Sequence, residues 1–97
     1  MAEWIWDPEK NRKNIRDHKI DFPTAIHVFD DPLAATREDE YPHEERWQTI
    51  GMIRRATILV VHTWPELDPM TGIETSRIIS ARKADPHERK AYEDGDF

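Results

Sequence analysis

Between Glu74 and Tyr92 the chain passes from an alternating apolar strand into a charged helix, with Asp85-Pro86 at the junction. That pair starts a helix for a physical reason. Asp85 offers a side-chain oxygen to the orphan N–H groups of a first turn, and Pro86 fits a position whose N–H has no helical partner. The same signature stands at Asp7-Pro8. A first helix is therefore expected from about Pro8 to His18 and a last one from Asp85-Pro86 to about Glu93.

Phe22, Ala25, Ile26 and Phe29 follow the i, i+3, i+4, i+7 spacing of a buried stripe. A second helix is expected from Asp21 or Phe22 to near Asp30, with Pro23 in its first turn. Trp4 and Trp6 pack beside the first helix. Leu33–Thr36 is a weak strand candidate. Arg46–Ile53 is a stronger one, interrupted by Gly51, which points to a bulge or a close backbone approach. Arg54-Arg55-Ala56 makes a turn into Thr57–Trp64, a continuous β-branched run suited to a central strand. Pro65–Gly72 reads as a surface loop and Ile73–Arg82 as the last strand. The expected fold is α+β in two layers: two N-terminal helices, a four-stranded antiparallel sheet and a C-terminal helix. Residues 1–97 form one domain, with 94–97 a frayed tail.

The chain has no cysteine, which excludes a disulfide framework and a thiolate zinc site. Its N-terminus has no basic segment leading into a long apolar one, and Ile58–Val61 is the longest apolar run, too short to cross a bilayer. A cytoplasmic protein without membrane contact is expected. The net charge of −6 argues against non-specific nucleic-acid binding, which depends on neutralising phosphates. The charge is unevenly placed. Asp30, Asp31, Glu38, Asp39, Glu40, Glu44 and Glu45 crowd one segment, while clustered cations lie in the last third. One acidic and one basic face would suit two different partners.

No phosphate-cradling glycine loop and no serine-hydrolase elbow is present, and His18, His27, His43, His62 and His87 lack metal-binding spacing. No cofactor or metal is expected. His62, near the end of the central strand, is either a proton shuttle or a satisfied structural histidine. Asn14 and His18, four residues apart on one helical face, are either partly buried structural polars or a functional face. Strict alternation along the last strand puts Arg77, Ile79 and Ala81 on one side and Ile78, Ser80 and Arg82 on the other. A buried arginine there needs an acidic partner, with Glu45 and Glu88 as candidates. Glu88 and Tyr92 share a helical face. Glu88 can act as a base, and Tyr92 either orients a phosphate or anchors the helix through its ring. A cationic strand–helix corner beside a histidine permits metal-independent RNA cleavage by the 2′-OH, which also spares DNA.

The ordered set of short matches resembles the BrnT toxins of bacterial type II toxin–antitoxin systems. It comprises Trp6-Asp7-Pro8-x-Lys10, Asn14 and His18, Phe22-x-x-Ala25-x-x-Val28-Phe29-Asp30-Asp31-Pro32, Glu45-Arg46, Ile50-Gly51, Leu59-Val60-Val61-His62-Thr63, and Arg77-Ile78-Ile79-Ser80-Ala81-Arg82-Lys83-Ala84 with Glu88 and Tyr92. The resemblance implies a RelE-like fold and a ribonuclease toxin that inhibits translation. It also implies a BrnA-type ribbon-helix-helix antitoxin as partner in a heterotetramer, with operator DNA touched only through that antitoxin. The chain departs from the family in a longer Trp64–Ile73 loop and in its acidity. By matched positions and chemistry, Arg77 and Arg82 are the expected phosphate stabilisers and His62 an acid or base. Glu88 and Tyr92 support them, and Lys83 and Arg46 bind backbone phosphate. This requires Arg77 and Arg82 to share one pocket, free of internal ion pairs. The acidity motivates a second reading: a non-catalytic, toxin-like module that partners an antitoxin and acts as co-repressor.

Overall fold

Asp7-Pro8 and Asp85-Pro86 begin helices in the computed structural model, which describes residues 3–97, whereas Asp31-Pro32 and Asp68-Pro69 lie in turns. Met1 and Ala2, part of the expected 1–97 domain, lie outside the described residues. In chain order the elements are β1 (Glu3–Ile5), α1 (Pro8–His18), α2 (Phe22–Ala25) with a 3₁₀ turn (Ile26–Asp30), β2 (Ala35–Glu38), β3 (Trp47–Ile53), β4 (Ala56–His62), β5 (Glu66–Leu67), β6 (Glu74–Lys83) and α3 (Pro86–Asp94). Asp7 accepts from the Glu9 N–H, Asp21 from Thr24 and Asp85 from Glu88. Glu88 returns the bond to the Asp85 N–H, completing a reciprocal cap on α3. No helix among the described residues is long and apolar enough to cross a membrane.

The sheet corrects the expected four antiparallel strands. Its order is β1-β6-β4-β3-β2, with β5 also pairing β6, and β1 runs parallel to β6 in the register Trp4↔Ser76. β1 is too short to show alternation, and its partner lies at the far end of the sequence, so no local pattern announces it. Past Ile5 the chain turns into α1, and Asn14 takes over the covering of the β6 edge. Its amide Nδ2 donates to the carbonyls of Ala81 (2.8 Å) and Ile20 (2.9 Å), and its Oδ1 accepts from the Ala81 N–H (3.1 Å).

The layering differs too. Phe22, Ala25 and Val28 pack on Ile58, Val60, Ile78 and Ala81 to form the core of one sheet face. The other face holds Ile50 and Leu59, paired across β3 and β4 and 0% and 1% exposed. On that side α3 sets Glu88 against Arg82 and Arg37 and Tyr92 against Asp31, so the sheet carries helices on both faces instead of one. The cause is readable in β4: Ile58 and Val60 point one way, Leu59 the other, and a strand apolar on both sides needs cover on both.

A bulge breaks the alternation of β6. Val61 pairs with Ser80 and His62 with Ile78, leaving Ile79 as the extra residue. Ile78 and Ala81 both face the core, whereas Arg77, Ser80 and Arg82 fall on the α3 side. The expectation that Arg77 and Arg82 occupy opposite faces is thereby overturned.

Gly51 marks a close approach. A Cβ there would sit 2.8 Å from the Val28 carbonyl oxygen, so the 3₁₀ turn rests directly on β3. Gly51→Ala should push these elements apart and destabilise the fold by about 1–3 kcal/mol. Urea unfolding checks this, since a midpoint equal to wild type would mean the turn yields freely.

Candidate functional site

His62 is fully buried on the core face. Trp4, Phe29 and Trp64 surround its ring at centroid distances of 5.6, 5.1 and 5.3 Å, all near-perpendicular. Its Nδ1 lies 3.0 Å from the Thr63 carbonyl oxygen, which can only accept, so Nδ1 carries the proton. Nε2 then accepts from the Thr49 hydroxyl at 2.7 Å, and Thr49 in turn accepts from Thr36 at 2.7 Å. Burial lowers the His62 pKa, against the opposing pull of the Thr63 carbonyl. The imidazole is neutral, saturated with partners and walled off from solvent. It stands on the opposite side of the sheet from Arg77 and Arg82, so the structure does not bring these three together.

Arg77 and Arg82 do not share a pocket either. Arg77 Nη2 donates to Glu44 Oε1 at 2.7 Å, and Arg46 Nε donates to the same oxygen at 2.8 Å. Arg46 also stacks 3.7 Å over the Tyr41 ring. These two guanidinium groups, Arg46 first, hold the Glu44 carboxyl below its usual range. Arg82 lies farther along β6, on the order of 15 Å from Arg77 at strand rise. Its Nη1 and Nη2 donate to the two oxygens of Glu88 at 2.7 and 2.9 Å. The acidic partners are thus Glu44, which sequence reasoning did not single out, and Glu88, which it did.

Glu88 is the hub of a latch. Besides Arg82 it accepts from the Asp85 N–H at 2.9 Å and lies 3.8 Å from Arg37, whose guanidinium covers the Phe97 ring at 4.0 Å. Arg82 depresses the Glu88 pKa, and Glu88 raises that of Arg82. Tyr92 completes the latch by donating its hydroxyl to Asp31, which also accepts from the Met52 N–H at 2.8 Å. The Asp31 bond pushes the Tyr92 pKa up to about 12. Of the two readings of Tyr92, its contacts are those of an anchor. Glu88→Ala removes the reciprocal cap and strands Arg82, so α3 should loosen at a cost of about 1–3 kcal/mol. Hydrogen exchange checks this: faster exchange confined to α3 is expected, and unchanged α3 protection would contradict the latch.

A different concavity collects unengaged chemistry. Lys10, Lys13, Asn14, Asp17 and His18 fall along one stripe of α1 and, with Ile79 and Ser80 of β6, line a cavity of about 320 Å³. The bulge at Ile79 and the Asn14 clamp fix its two walls. Lys10, Lys13 and His18 are exposed, and none of them joins an ion pair among the described residues. Two ammonium groups and an imidazole around one opening, beside an Asp17 carboxylate that Arg16 pairs, can hold an anion and move a proton beside it. Sequence reasoning did not single out Lys10 and Lys13 as candidates, although their spacing with Asn14 and His18 was a usable signal. Lys83 lines a separate notch with Arg55 and Arg89. No cluster of three or more histidine or carboxylate side chains arranged to hold a metal ion occurs among the described residues.

A family model described as ribonuclease toxin, BrnT, of type II toxin-antitoxin system matches residues 6–88 of the 97. No curated protein matches the chain.

Proposed function

Since the chain belongs to the BrnT family of ribonuclease toxins of type II toxin–antitoxin systems, we propose that it is an endoribonuclease acting at the cavity between α1 and β6. The family match over residues 6–88 is the observation that carries this reading. The cavity geometry supports the location, because its cations are the ones left free beside a histidine. The ribose 2′-OH attacks the adjacent phosphorus, the bond to the 5′-oxygen breaks, and a 2′,3′-cyclic phosphate and a 5′-hydroxyl result. Lys10 and Lys13 stabilise the charge that builds on the phosphoryl oxygens. His18 transfers a proton, either from the attacking hydroxyl or to the departing oxygen. The chemistry needs no metal, and DNA, lacking the 2′-OH, is spared. In the cell this activity inhibits translation. A BrnA-type ribbon-helix-helix antitoxin neutralises it in a heterotetramer that meets operator DNA only through the antitoxin, and the toxin fold is RelE-like.

Purified protein incubated with end-labelled RNA in EDTA should give fragments ending in cyclic phosphate. RNA left intact, both free and on ribosomes, would contradict the enzyme reading. One observation favours a second reading: Arg77 and Arg82, the cations matched to the family, are both neutralised by internal carboxylates. A tight antitoxin complex with no cleavage under any condition would select that reading, a toxin-like binding module and co-repressor.

A further inference from the structure

The β3–β4 turn and the β6–α3 junction meet at a notch of about 200 Å³ lined by Arg55, Lys83 and Arg89, with Thr57 and two alanines and no carboxylate. None of these three cations forms an ion pair among the described residues, whereas Arg37, Arg46, Arg77 and Arg82 all do. In a chain with six more formal negative charges than positive ones, carboxylates are plentiful. Three like charges gathered around one opening without a single carboxylate repel one another, and an anion seated among them relieves that repulsion.

The backbone adds an independent observation. The hairpin turn is only Arg54-Arg55, since Ile53 pairs with Ala56. Arg54 has φ of +57°, a conformation that such turns usually give to Gly, Asn or Asp. Strain of this kind gathers at binding sites, and Arg54 directly precedes Arg55 of the notch. The walls are fixed as well: Lys83 pairs with Ile58, and the Ala84 N–H donates to the Thr57 carbonyl at 2.9 Å. The notch is a rigid cradle and not a pair of loose loops.

We infer that this notch holds a backbone phosphate of single-stranded RNA, outside the cleavage cavity. The inference rests on the reading of the chain as a ribonuclease and deepens it. Ser80 of the cavity and Lys83 of the notch lie on one strand, about 10 Å apart at strand rise, so one RNA strand can touch both. No aromatic ring lines the notch, so it grips the backbone without reading bases. It supplies the electrostatic anchor that an acidic ribonuclease otherwise lacks.

The test combines Arg55→Gln, Lys83→Gln and Arg89→Gln in one variant. A labelled 2′-O-methyl oligonucleotide, which cannot undergo 2′-OH attack, is titrated by fluorescence anisotropy over a range of salt. Affinity should fall at least about tenfold, and the slope of log K against log salt should become shallower by about 0.7, the value for one lost phosphate contact in single strands. Cleavage should show a raised KM with kcat retained, and thermal unfolding should stay at the wild-type midpoint. If wild type cleaves RNA but the triple variant binds with unchanged affinity and slope, the notch is not an RNA site and the ribonuclease reading stands. If wild type neither binds nor cleaves RNA, both fail together. Inorganic phosphate that binds wild type where the oligonucleotide does not also overturns the inference.

Discussion

His18→Ala should lower RNA cleavage by about 10²–10⁴-fold, the usual loss on removing a general acid or base. The side chain is exposed at the C-terminal end of α1, and its removal opens no interior cavity. The thermal midpoint should therefore stay near wild type, which separates a chemical defect from an unfolded one. Single-turnover cleavage at saturating RNA reads the step directly. Lys10→Ala and Lys13→Ala should each weaken the same reaction, because each removes one donor from the opening that His18 borders. His18→Ala with full cleavage would move the proton transfer elsewhere.

His62→Ala should act on stability instead, by about 3–5 kcal/mol, the range for truncating a fully buried ring. The substitution empties the cage of Trp4, Phe29 and Trp64 and leaves the Thr49 hydroxyl without its acceptor. A loss of that size is a large share of the ~5–15 kcal/mol that holds a small domain folded. The same cage sets a pH dependence. Folded His62 resists protonation, whereas the unfolded chain takes a proton near the ordinary value of 6.5. The unfolded state thus binds more protons as pH falls below about 6.5, and stability must decline, by at most about 1.4 kcal/mol per pH unit. Near and below pH 4.5 the depressed carboxyls of Glu88 and Glu44, and lower still that of Asp31, add to the decline. Urea midpoints from pH 8 to 5 should follow this slope, and His62→Gln should flatten it. A His62→Ala protein that melts with wild type yet fails to cleave RNA would show that the ring serves chemistry and not packing.

The helix starts at Asp7-Pro8 and Asp85-Pro86 were legible because a capping aspartate followed by proline fits the first turn of a helix. The β-branched density of Thr57–Trp64 likewise marked the central strand. Gly51 announced the close approach of the 3₁₀ turn. What escaped depends on contacts between distant segments. β1 earns its strand only from β6. Glu44 finds Arg77 across 33 positions, and Tyr92 finds Asp31 across 61. The bulge at Ile79 matters most. A period of two assumes an unbroken ladder, so a single extra residue moved Arg77 to the side of Arg82 and changed what each can reach. The free charge of Lys10 and Lys13 shows only in the structure, where Arg37, Arg46, Arg77 and Arg82 are held by carboxylates and these two lysines are not.

The proposed reaction places the catalytic groups in the cavity between α1 and β6, and not at the ion pairs of β6. Cleavage of one labelled RNA in EDTA by wild type, His18→Ala, Lys10→Ala/Lys13→Ala and Arg77→Ala tests it most directly. Cleavage should collapse in the first two variants and persist in Arg77→Ala, with all four proteins folded. Loss of cleavage in Arg77→Ala, with the His18 and lysine variants active, would contradict it.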